Sequence, residues 1–62
     1  MLTTDNLEHL ITLYIAAIEL REPQLIRRCS AEVQREADRV RYGNDGRIKR
    51  LHTLAEMAIL ED

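Results

Sequence analysis

The sequence predicts an all-α protein, on three observations. Three stretches place their apolar residues at the 3.6-residue helical period, and no stretch alternates at period two as a strand would. The one turn-rich run, Gly43-Asn44-Asp45-Gly46, falls between two of those stretches and suits a tight helix-to-helix loop. A chain of 62 residues leaves room for a single domain. The reading is a unit of three helices, over about 5–21, 23–42 and 47–60, that forms a homodimeric helical bundle.

The first helix is expected to start near Asp5, whose carboxylate is placed to cap the first turn while Glu8 reaches back in a capping box. At 100° per residue, Leu13, Ala17, Leu10, Tyr14, Leu7, Ile18, Ile11 and Ile15 form one continuous arc, which Leu20 extends to roughly 220°. That is about twice the ~100° stripe needed to cover one neighbour. This helix must therefore touch at least two others.

Pro23 ends or kinks that helix, because it lacks an N–H and disfavours the α region at Glu22. It is equally suited to the first position of a new helix. A single long helix kinked at Pro23, giving a hairpin, stays open beside the three-helix reading, although a mid-helix proline costs ~3 kcal/mol. The second helix carries Leu25, Ile26, Cys29, Val33, Ala37 and Val40 on a stripe of roughly 120°. Gly43 is placed for a left-handed C-cap, and Asn44 or Asp45 for the next N-cap. The third helix aligns Ile48, Leu51, Leu54, Ala55, Ala58 and Ile59, with Met57 and Leu60 off that face as candidates for a second contact surface.

The apolar fraction is an ordinary 45%, but there is no Phe or Trp, and Tyr14 and Tyr42 are the only aromatic residues. A thin core of this kind usually needs a disulfide, a metal or a partner. One cysteine, Cys29, cannot form an internal disulfide, and Cys29 with His9 and His52 gives no zinc spacing, so no metal and no cofactor are expected. Self-association remains, and the arc of the first helix supplies its expected interface: Leu7, Leu10, Ile11, Tyr14, Ile15 and Ile18. The lone thiol and the lack of a signal-peptide pattern suit a reducing, cytoplasmic setting. The longest near-apolar stretch, Leu10 to Ile18, is far below the ~20 residues of a membrane span.

The net charge of −2 is unevenly spread. Residues 1–26 carry four acids against Arg21, residues 27–50 carry eight basic groups against four acids, and residues 51–62 carry three acids alone. Arg28, Arg35 and Arg39 share one face of the second helix within about 40°. Such a stripe suits phosphates or an acidic protein surface. It is equally consistent with a solvated face laced by the (i, i+3) pairs Glu32–Arg35, Glu36–Arg39 and Asp38–Arg41. Tyr42, beside Arg39 and Arg41, either joins this surface as an interface anchor or covers the end of the helix pair.

No catalytic constellation stands out. Ser30 has no His or Lys at a spacing that would activate it, Cys29 lies in the apolar stripe as core filler, and there is no strand to carry a phosphate loop. An enzyme is not expected. The leading expectation is an intracellular protein–protein interaction module that binds and modulates a larger protein through Arg28, Arg35, Arg39, Tyr42, Met57 and Leu60. Very short all-helical chains are frequent among regulators, anti-activators and inhibitors, including those of phages and plasmids.

The alternative is nucleic-acid binding by the arginine-rich middle. In length, and in the turn Tyr42-Gly43-Asn44-Asp45-Gly46, the chain resembles the plasmid RNA-binding regulators of the Rop type, which are dimers of helical hairpins forming a four-helix bundle. The resemblance implies a helical dimer that binds RNA or DNA through the second helix. It carries over no particular residues, and here the turn precedes a third helix rather than the end of the chain. A pI near 5.6 argues the other way, since dedicated nucleic-acid domains are usually basic.

Overall fold

A computed structural model of the chain, describing residues 4–60, consists of three α-helices: α1 (Asp5–Leu20), α2 (Pro23–Arg39) and α3 (Gly46–Leu60). Among the described residues there is no strand. The helices run up, down and up, with α1 packed most extensively on α2 and α3 resting more lightly on both. No helix among the described residues is long and apolar enough to cross a membrane.

The chain breaks at Pro23 rather than kinking, so the single long helix is not formed. Arg21 takes a left-handed conformation (φ 55°, ψ 42°), its N–H bonds the Ile18 carbonyl, and the Glu22 N–H reaches back to Ala17. This is a Schellman ending, and it frees Pro23 to occupy the first turn of α2.

The same ending closes α2. Arg41 is left-handed (φ 67°), with its own N–H on Asp38 and the Tyr42 N–H on Ala37. The helix therefore stops at Arg39, three residues short of the expected Tyr42. Gly43 is not left-handed, contrary to expectation, because Arg41 has already reversed the chain. A Cβ at Gly43 would instead run into the Asp38 carboxylate.

The expected capping box at the start of α1 does not form. Thr4 is the N-cap residue, makes no side-chain cap bond, and Glu8 turns towards α3. The cap of α3 does form: Asp45 Oδ1 accepts the Arg47 N–H at 2.8 Å.

The core is drawn from all three helices: Leu7, Ile11, Tyr14 and Ala17 of α1, Ile26, Val33 and Ala37 of α2 with Val40 just beyond it, and Ile48 and Ala55 of α3. Tyr14 is the largest fully buried side chain. In the expected stripes Leu25 and Leu54 are exposed, and Cys29, Leu51, Ala58 and Ile59 are half-buried. Three short helices surround a centre only one layer thick, so each helix covers the middle of its neighbour's apolar stripe and leaves an edge open.

Candidate functional site

The wide arc of α1 is divided between the interior and two open flanks. Leu7, Ile11 and Tyr14, read from the sequence as dimer interface, are buried inside the single chain, where α2 and α3 cover the centre of the arc. Leu10 and Ile18 are half-buried, and Ile15 is 41% exposed. The other flank leaves Leu13 and Leu20 exposed.

Ile15 belongs to the more developed surface. Glu8, Ile11, Thr12 and Ile15 of α1 with Gly46, Arg47, Arg50 and Leu51 of α3 line a cleft of about 560 Å³. Further along the same seam, Ile18, Glu19 and Arg21 with Leu54, Met57 and Ala58 line a second cleft of about 320 Å³. Together they make one long furrow between α1 and α3, with an apolar floor and charged borders. Exposed Ile15, Leu54 and Met57 stand along it. Met57 thus joins a coherent surface, whereas Leu60, 81% exposed, sits at the end of α3 and lines neither cleft.

At the head of the furrow Arg47 Nη2 meets Glu8 Oε1 at 3.0 Å and Asp45 Oδ2 at 3.5 Å. The Asp45 carboxyl is held below its ordinary range, first by the Arg47 backbone N–H and then by the guanidinium. The Glu8–Arg47 pair is half exposed, so it contributes little to stability.

The arginine stripe is only partly as expected. Arg39 folds onto Glu36, with its Nε on Oε1 at 3.0 Å and Nη2 on Oε2 at 2.6 Å. Glu36 is the one buried charged residue among those described, and Arg39, then an Asn6 hydrogen bond, keep its carboxyl below the usual range despite burial. Arg28 and Arg35 remain exposed and, among the described residues, outside any ion pair. Of the three expected (i, i+3) pairs only Glu36–Arg39 closes; Asp38 accepts a bond from Gln34 while Arg41 lies past the end of α2 in the left-handed region. Tyr42, half exposed, lines a small cleft with Thr4, Leu7, Glu8, Asp45 and Arg47, at the head of the α1–α3 seam rather than along the stripe.

The structure also assembles a polar hub that spacing along the sequence did not reveal. Half-buried His52 of α3 receives the Tyr14 hydroxyl of α1 at Nδ1 (2.8 Å), with Ser30 of α2 at 3.3 Å from the same nitrogen. Its Nε2 lies 3.0 Å from Gln34 Oε1. Gln34 gives its amide N–H to Asp38, so its carbonyl faces His52 and Nε2 is the nitrogen that donates. Nδ1 is then the acceptor that satisfies the buried phenol. Burial pushes the Tyr14 hydroxyl up, partly offset by the neighbouring Ser30 hydroxyl.

The signal for this hub was present: Ser30 and Gln34 lie on the same border of the α2 stripe, and His52 at the edge of the α3 face. Its meaning depended on which border α3 would cover. Cys29, beside Ser30, is pushed up by burial first and by Glu32 second, so it remains a protonated, half-buried thiol. No family model matches the chain, and neither a curated protein nor a solved structure does.

Proposed function

We propose that this chain is a small protein–protein interaction module that acts as a regulator, in the manner of an inhibitor or anti-activator, on a larger protein. The observation that supports this reading most is the open α1–α3 furrow. Ile15, Leu54 and Met57 stand exposed side by side above an apolar floor, in a chain too small to spare apolar surface from its core. Apolar patches bordered by charge are characteristic of surfaces that meet another macromolecule. On the side of the bundle away from the furrow, α2 offers Arg28 and Arg35 as a second, polar surface.

A second reading, RNA or DNA binding through α2, is favoured by those two arginines standing exposed and outside ion pairs among the described residues. The closure of Arg39 onto Glu36 and the acidic pI weigh against it.

Photo-crosslinking residues placed at Leu54, at Arg35 and at exposed Ala16 test the proposal in the native host. Capture of one larger protein from position 35 or 54, and not from 16, is the expected result. Capture of nucleic acid at position 35, with an affinity that falls steeply with salt, would replace it by the second reading. Indifference of all three positions removes the module reading altogether.

A further inference from the structure

The borders of the α1–α3 furrow have a defined register. α1 and α3 run in the same direction, and Glu8 pairs with Arg47 where both begin. At 1.5 Å per residue, Ile15 and Leu54 both lie about 10 Å beyond that pair and are level with each other. The α1 border carries Glu8 and Glu19, with Arg21 just past the end of the helix, and the α3 border carries Arg47 and Arg50. Arg50 makes no ion pair among the described residues.

We propose that the furrow is closed by a second copy of this chain, related by a two-fold axis running along the seam, so that α1 of each copy lies over α3 of the other. This rests on the interaction-module reading and deepens it: the apolar face is assigned to self-association, and α2 is left outward for the larger partner.

Charge complementarity supports this occupant. A two-fold contact joins one patch to itself, so the patch must carry both signs in complementary places. Here, within the helices, the acids Glu8 and Glu19 belong to α1 and the bases Arg47 and Arg50 to α3, while Arg21 lies beyond the end of α1, away from the Glu8 and Arg50 junction. With the axis along the seam, Glu8 of each copy meets Arg47 and Arg50 of the other, and Ile15 meets Leu54, each contact occurring twice. An axis across the helices at the level of Ile15 and Leu54 would instead stack α1 on α1. It would set Glu8 within about 4.5 Å, along the helix direction, of the second copy's Glu19. A strongly acidic or strongly basic partner would meet repulsion at one border.

Sedimentation equilibrium of the full chain, from nanomolar to high micromolar concentration, tests the inference with two charge reversals at exposed positions. The wild type should be dimeric. Glu8→Arg and Arg50→Glu should each weaken the dimer by about tenfold or more. Circular dichroism of each variant should match the wild type. An equimolar mixture of the two variants should restore the dimer. The arginine introduced in one variant then meets the glutamate introduced in the other, while the remaining junction keeps its native Glu8 and Arg50.

A wild type that stays monomeric overturns the inference. So does a dimer indifferent to both reversals, a mixture that fails to recover, or a Glu8→Arg variant that associates more tightly, as an axis across the helices would produce. A monomer whose position 54 cross-links to a larger protein ends the self-association and leaves the proposed function standing. A dimer that obeys the charge rule, but whose α2 touches no larger protein, ends the proposed function and leaves this inference standing.

Discussion

The two seams made by α1 differ in how completely they close. Towards α2 the helix places Tyr14 and Ala17 in an interior shared with Ile26, Val33 and Ala37, and the packing is the most extensive in the molecule. Towards α3 it reaches Ile48 and Ala55, but Ile15, Leu54 and Met57 stay in solvent. One helix thus carries two apolar edges of different use. The closed seam holds the fold together, and the open seam is surface the fold does without. Residues one turn apart on the same arc should consequently respond very differently to substitution.

The sharpest way to break this comparison is to place the same charge on the buried floor of the furrow, at Ile11, and on its exposed edge, at Ile15. Ile11→Asp buries a carboxylate with no partner, which should cost more than about 3 kcal/mol. For a chain of this size that is a large part of the total, given about 0.05–0.15 kcal/mol per residue. Ile15→Asp, one turn later, should shift stability by no more than about 0.5 kcal/mol when measured at nanomolar concentration. Urea titrations followed by circular dichroism read both. Equal losses would show that the edge of the α1–α3 seam at Ile15 is as closed as its floor at Ile11. At micromolar concentration Ile15→Asp should also cost association, which separates the open seam's role in assembly from its role in the fold.

A smaller effect is expected at the hub that ties α3 to the closed seam. Tyr14→Phe keeps the buried ring but leaves His52 Nδ1 with Ser30 as its remaining neighbour, and should cost about 1 kcal/mol. Tyr42→Phe, at a half-exposed hydroxyl, should be neutral. Equal effects would mean that the hub adds nothing to holding α3 in place.

How much of this was legible in the sequence depends on which interaction decides each feature. The three helices are local outcomes of periodicity and could be read directly, whereas the sequence left a break or a kink open at Pro23 and the cap open between Asn44 and Asp45. The helix ends were less legible, because arginine holds the left-handed position at both Arg21 and Arg41, where glycine is the usual sign. The width of the α1 arc correctly demanded two neighbours. It could not say that both neighbours would come from the same chain, which turned Leu7, Ile11 and Tyr14 from expected interface into core. The arginine stripe was visible as an angle, and the Glu36–Arg39 pair as an (i, i+3) spacing, but the burial of Glu36 that sets this pair apart from Glu32–Arg35 is a tertiary fact. The hub, likewise, needed the placement of α3.

The left-handed arginines offer a substitution in the opposite direction. At Arg41 a side chain in the left-handed region costs about 1–2 kcal/mol, and glycine removes that cost while adding unfolded-state entropy. Arg41→Gly should give a net gain of about 0.5 kcal/mol. Arg35→Gly, in the interior of α2, should lose about 1 kcal/mol by helix propensity. Thermal melts of the two variants should therefore move apart from the wild type in opposite senses. A loss at both positions would mean that the Arg41 side chain makes a contribution larger than its backbone cost.

The smallest expected effect compares the two carboxylates that tie the ends of the seams. Asp45 caps α3 at the head of the open seam, and Glu36 holds Arg39 beside the closed one; both carboxyls titrate below their ordinary ranges when folded. A depressed folded pKa contributes stability that is fully present above the unfolded values, near 3.9 for Asp and 4.3 for Glu. It is lost as pH falls through the folded values. Stability should accordingly be level from neutrality down to about pH 5 and decline below it. Asp45→Asn keeps an acceptor that caps helices well but cannot ionise, so it should preserve the neutral-pH fold and flatten part of the acid decline. Glu36→Gln keeps the shape and loses the charge that Arg39 grips, so it should flatten the decline while lowering stability at neutral pH. Urea midpoints measured from pH 7 to pH 3 distinguish the two. If Asp45→Asn leaves the acid decline unchanged, the cap at the open seam is not linked to folding, and the acid sensitivity belongs to the closed seam alone.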